Sequence, residues 1–170
     1  IKKIKYFHEP NINSLTDAKN FGIKYSVGEY IGFFDDDLLL NKNFLSEIVD
    51  IIREKNPLGV SGVDNLSKER NILHFILKKI FLIGLFKDAR SYYFDKPNII
   101  KSSKLSGGYT FFRKDIFKKI NFRNKGIFHL NEDVDFSLKI KKKIIGEFYI
   151  NKKAFAYHFT RNTKTMLIKD

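Results

Sequence analysis

Apolar and polar positions along the chain alternate between helix-like and strand-like spacing. Ser14 followed by Asp17 has the spacing of a capped helix start, and Leu15, Ala18 and Ile23 are expected on one face of a short helix. Gly28 is expected to close that segment. Tyr30 to Phe34 then reads as a buried strand. Phe44, Leu45, Ile48, Val49 and Ile52 recur at helical spacing until Asn56-Pro57 stops them, and Leu58 to Val63 is a second strand candidate. Helix, strand, helix, strand in that order predicts an α/β domain with a mostly parallel sheet. Further on, Tyr109 to Phe112 reads as a short strand, Lys114 to Ile120 as a short helix, and Ala154 to Tyr157 as a strand leading to His158. Residues 72–86 are apolar except for His74, Lys78, Lys79 and Gly84. That stretch is too short and too interrupted to span a bilayer. It reads as a buried helix or oligomer contact, or as a helix lying in a lipid interface.

Composition narrows the classes. The 170 residues, expected to form one domain, are 43% hydrophobic and 15% aromatic, which suits a folded core. With no cysteine, disulfides and thiolate metal sites are excluded. A formal net charge of +13 invites nucleic acid or anionic lipid as a partner. The lysines are dispersed along the chain, however, and no Arg-rich arm or aromatic RNA-reading motif accompanies them, so no specific nucleic-acid partner is expected.

Three consecutive carboxylates, Asp35, Asp36 and Asp37, come directly after the first strand. They either cap the next helix or hold something positive. Ligands of α/β sheets sit beyond the carboxyl ends of strands, where this triplet falls. Three other segments admit structural and chemical readings alike. Gly107-Gly108 suits a plain turn or the close approach of a ligand. Glu132 and Asp133 are expected in the first turn of a helix capped by Asn131, where acidic groups favour the helix dipole by about 0.3–1 kcal/mol. His158 alone is uninformative.

Their order is informative. SLTDAKNFGIKYSVGEYIGF leads into DDD, then come GGYTFFRKDIF, NEDVDFSLK and AYHFTRNT. This series, from about Asn13 to Thr163, resembles the family 2 glycosyltransferases of the GT-A fold, a Rossmann-like sheet flanked by helices. The resemblance implies a nucleotide-sugar donor, a glycan or lipid-linked acceptor, and a divalent cation, Mn²⁺ or Mg²⁺, at a DXD-type site. It places Asp37 and His158 as metal ligands, and Asp35, Asp36, Lys19, Gly107, Gly108 and Tyr109 at the donor. Asp133, with Glu132 beside it, becomes the base of an inverting single displacement. Work on cell-envelope polysaccharide is implied, in the cytoplasm or at the inner face of the cell membrane, with residues 72–86 as a peripheral contact and self-association compatible with it.

Three departures from the family pattern stand out. The family's catalytic domain begins with a strand–helix–strand unit that forms the nucleotide-base pocket. The opening IKKIKYFHEPNINS corresponds to the segment after that unit, so a carboxyl-terminal portion of a catalytic domain is expected. Lys19 stands where many relatives carry Arg, keeping the charge but not the bidentate fork. No QxxRW motif is present, which argues against a processive synthase. The alternative to an active transferase is an inactive module of the same fold, serving in oligomerisation or membrane-surface binding.

Overall fold

Helix α1 (Leu15–Tyr25) starts where the Ser14 hydroxyl accepts the Asp17 backbone N–H at 3.1 Å, and ends where the Ser26 N–H reaches the carbonyls of Gly22 and Ile23. The structure, a computed structural model, describes residues 4–64, 97–105, 108–123 and 132–158. After α1 come β1 (Tyr30–Phe34), β2 (Leu38–Leu40), α2 (Phe44–Lys55), β3 (Gly59–Asp64), β4 (Ile99–Ser102) and β5 (Tyr109–Arg113). A 3₁₀ turn (Lys114–Lys118), α3 (Glu132–Lys143) and β6 (Phe148–His158) complete the described elements. Helix α2 ends as the sequence implies: Asn56 turns into the left-handed region with φ of 41° and Pro57 comes next. Residues 72–86, Gly107 and Asn131 lie outside the described residues.

The six described strands form one sheet in the order β1-β5-β3-β6-β2, with β4 also paired to β6. Only β3 and β6 run parallel; the other four pairings are antiparallel. The sheet of this α/β fold is therefore mixed, where alternating helices and strands predict a mostly parallel one. Parallel neighbours need a crossover that returns the chain to the same end of the sheet. The passage from β3 to β6 contains α3, whereas β5 arrives reversed between β1 and β3.

Both sheet faces are covered, and strand alternation assigns the residues. Tyr109 and Phe111 of β5 join Phe44, Ile48, Ile51 and Val60 beneath α2. Phe112 faces the other way, into a larger core with Ile31, Phe117, Phe122, Phe136, Ile140 and Phe148. That core is built on aromatic geometry: Phe136 stacks on Phe122 at 4.1 Å and meets Phe112 edge-on at 5.1 Å.

Two expectations about helix faces need correcting. Leu15 is 52% exposed and Ala18 is also exposed, while Thr16 is buried and Ile23 packs on the larger core. Helix α1 thus turns a partly polar face inward, because Lys19 and Asn20 on that face have partners inside. In α2 the buried positions are Phe44, Ile48 and Ile51, with Leu45 and Val49 outward. The segment after β5 is a 3₁₀ turn of five residues, shorter than the helix expected over Lys114 to Ile120.

Candidate active site

Strand β1 runs its apolar residues out of the sheet and ends against β5, with Phe34 opposite Tyr109. The next residue, Asp35, donates its backbone N–H to the Gly108 carbonyl at 2.8 Å. Any Cβ at Gly108 would occupy the space of the Asp35 carboxyl group, so glycine is what lets this carboxylate lie flat against the end of β5. Asp36 and Asp37 form the adjoining turn, and β2 begins at once with Leu38. Leu38 pairs with His158 at the end of β6. The sheet therefore sets His158, by register, beside the residue after Asp37, although the two are distant in sequence.

The second acidic motif opens α3. Asp133 is only 8% exposed. Lys19 of α1 reaches across to it, with Nζ donating to Asp133 Oδ1 at 2.7 Å and to Glu132 Oε1 at 2.8 Å. Its ammonium also lies 5.2 Å from the centroid of the Phe122 ring and 5.8 Å from that of Phe33. Such a buried lysine costs desolvation energy unless it is paired, and here it is paired twice.

Burial and charge together set the proton affinities of this group. Burial raises the Asp133 carboxyl above the ordinary 3.8, Lys19 opposes that rise, and the neighbouring Glu132 and Asp35 carboxylates add to it. Burial pulls the Lys19 ammonium down, but attraction to Asp133 and the hydrogen bonds to Asp133 and Glu132 outweigh it and carry it above 10.5. Both partners shift upward, Asp133 chiefly because burial disfavours its charged form and Lys19 because its two carboxylate partners outweigh burial. Asp35 is thereby felt at Asp133, and the two acidic motifs share one electrostatic neighbourhood.

Of the residues singled out in the sequence, Asp35, Gly108, Lys19, Glu132 and Asp133 are tied together by these bonds and charges. Tyr109 is 6% exposed, its ring edge-on to Phe44 at 6.4 Å in the core under α2. Gly107 is outside the described residues. Asn20 was missed: its Nδ2 donates to the Phe122 carbonyl at 2.9 Å, and its Oδ1 accepts the Phe122 N–H at 3.1 Å. The signal available was a poor helix former next to the lysine, on a face that buries polar groups.

The carboxylates of Asp35 to Asp37 are hard oxygen donors of the kind Mn²⁺ and Mg²⁺ take. Among the described residues no group of three or more His, Cys, Asp or Glu side chains stands ready to hold a metal ion alone. The donor chemistry fits such an ion only with further oxygens supplied by phosphate or water, as is usual for Mg²⁺. A separate cavity of about 280 Å³, lined by Glu29, Arg113, Lys114, Asp115 and Lys118, lies at the other end of β1 and β5. Arg113 there is bound to Asp115 at 2.8 Å and Lys114 to the Ser26 carbonyl at 2.6 Å, so internal partners engage both cations.

Among the described residues no helix is long and apolar enough to cross a membrane. The crystal structure of A197 from STIV superposes with a TM-score of 0.55 over 88% of this chain and 69% of that one, at 16% identity, a likeness of fold. Uncharacterized glycosyltransferases of Rickettsia conorii and Rickettsia bellii are 40% and 42% identical over 55 residues. Those residues are 32% of this chain and only 9% and 8% of the two relatives. The family model for glycosyl transferase family 2 matches residues 1–121, which include Lys19, the acidic triplet and Gly108, and the structure adds Glu132 and Asp133 to them through Lys19. This chain belongs to glycosyl transferase family 2.

Proposed function

We propose that this chain carries the catalytic centre of a metal-dependent inverting glycosyltransferase, moving a sugar from a nucleotide-sugar donor to a hydroxyl of a glycan or lipid-linked acceptor. The observation that supports it best is the Asp133 carboxylate, 8% exposed and held by Lys19 at 2.7 Å, with its proton affinity raised by burial above all. Asp37 would hold the cation with His158 as a further ligand, and Asp35 and Asp36 would lie against the donor, Asp35 nearer its ribose. A bound Mn²⁺ or Mg²⁺ supplies Lewis-acid stabilisation of the departing diphosphate. Asp133 takes the proton of the acceptor hydroxyl as that oxygen attacks the anomeric carbon. A base on the face opposite the leaving group means inversion. With Oδ1 held by Lys19, Oδ2 is the oxygen offered to the acceptor.

Thermal melting with Mn²⁺ and a panel of nucleotide sugars tests the donor site. One donor should stabilise the chain by about 2.7 kcal/mol at a hundredfold excess over its Kd, and Asp37→Asn should abolish that gain. A protein that melts cooperatively and responds to no donor would overturn the assignment of the acidic triplet.

Gly108→Ala probes the same region from the other side. The new methyl must displace the Asp35 carboxyl. We expect a modest stability loss of about 1 kcal/mol and a fall in donor affinity of about tenfold, the size of one lost hydrogen bond. Calorimetric titration of the donor measures it, and unchanged affinity would remove Asp35 from the donor site.

A further inference from the structure

We propose that Lys19, together with Asn20, is a positioning unit for the Glu132–Asp133 pair, and that Lys19 acts on the acceptor side of the reaction and makes no contact with the donor phosphates. The inference rests on the reading of Asp133 as the base. The Lys19 side chain is 9% exposed, and two of its three N–H donors are given to Glu132 and Asp133. Both carboxylates hold the ammonium at the start of α3, so a donor phosphate would have at most its one remaining N–H, and neither carboxylate has a second cation among the described residues.

The neighbouring residue makes the placement rigid. Asn20 clamps both backbone groups of Phe122, and the Phe122 ring stacks on Phe136, which lies one turn beyond Asp133 on α3. Consecutive residues of α1 therefore fix the first turn of α3 twice: Lys19 by charge at the carboxylates, Asn20 through the aromatic wall behind them. Three groups face the Asp133 carboxyl: Lys19 from α1, Glu132 from its own helix and Asp35 from the turn after β1. Lys19 is the cation among them. It holds Oδ1, so the orientation of Oδ2 depends on it.

The test tracks the Asp133 carboxyl by carbon-detected NMR across pH in the wild type, Lys19→Met and Lys19→Arg, alongside kcat and donor KM. In Lys19→Met the titration should move to higher pH, since loss of a neighbouring cation disfavours the carboxylate. The same variant should lose about 100-fold in kcat, the effect of a misplaced catalytic group, with donor KM changed less than about twofold, as for an interaction used only in the transition state. Lys19→Arg, which keeps the charge and guards against a Met variant that does not fold, should retain the wild-type titration and recover most of kcat. An unmoved Asp133 titration in folded Lys19→Met overturns the proposal. So does a rise in donor KM at constant kcat in either variant. The NMR readout needs no turnover: absence of transfer in every protein would sink the assigned reaction and still leave the pairing to be decided by the titration.

Discussion

Asp133→Asn should lower kcat by about 10²–10⁴-fold, the usual contribution of a general base, while leaving metal-dependent donor binding intact. Asparagine keeps an oxygen for Lys19 and nearly the same volume, so the 2.7 Å contact has a substitute and the α3 packing is undisturbed. What is lost is the capacity to accept a proton. The pH dependence of the wild type carries the same signature. Asp133 must be ionised to act, and burial raises its pKa above 3.8, so kcat should climb with pH along a limb centred above that value. For stability the sign reverses. The folded chain holds the Asp133 proton more tightly than the unfolded chain does, so this group's contribution falls as pH rises through the interval between the two values. Lys19 acts at the alkaline end: its contribution is complete below about 10.5 and disappears as pH passes its raised folded value. Initial-rate assays and donor titration on the Asn variant separate the steps; full turnover would remove Asp133 from the chemistry.

Phe136→Ala should cost about 3–5 kcal/mol, as buried aromatic truncations do. That is a large share of the roughly 5–15 kcal/mol typical of a folded domain. The ring is fully buried, parallel to Phe117 at 5.3 Å and to Phe122 at 4.1 Å, and edge-on to Phe112. Removing it opens a void where the rings of Phe112, Phe117 and Phe122 now meet it. Because Phe136 and Asp133 occupy one face of α3, the variant should also weaken the hold on the carboxylates. Leu138→Ala on the same helix is the control: Leu138 is 46% exposed and the change should stay within about 0.5 kcal/mol. Urea melts with an unchanged slope would measure both, and a loss below about 1 kcal/mol for Phe136→Ala would show that the aromatic cluster can collapse around the gap.

The sequence was most legible where local chemistry and burial agree. Strand β1, helix α2 with its Asn56-Pro57 stop, and strand β5 fall within a residue or two of expectation. Helix α1 was placed but faced wrongly, because apolar periodicity assumes that the inner face is apolar. Its inner face holds Lys19 and Asn20, whose partners are 114 and 102 residues away along the chain. No window around α1 contains that information. Strand β2 was hidden for a related reason: three leucines between the acidic turn and α2 become a strand only through pairing with β6. The acidic residues themselves were visible as motifs. Their shared electrostatics were not, since they depend on α3 and β1 meeting on one side of the sheet.

Strand β6 has a property that reaches beyond pairing. Against β3 its alignment steps from Ser61↔Ile150 to Val63↔Phe155, so three surplus residues are folded into β6 at that point. Before the surplus it is flanked by β4, after it by β2. The strand therefore behaves as two short zippers joined by slack. A slip of one residue normally inverts every side chain along a strand, and the surplus gives the two segments of β6 separate registers against β3. The Leu38–His158 pairing beside the acidic turn thus takes its register from β2 and the last residues of β3, and the β4 pairing belongs to the other segment of the strand.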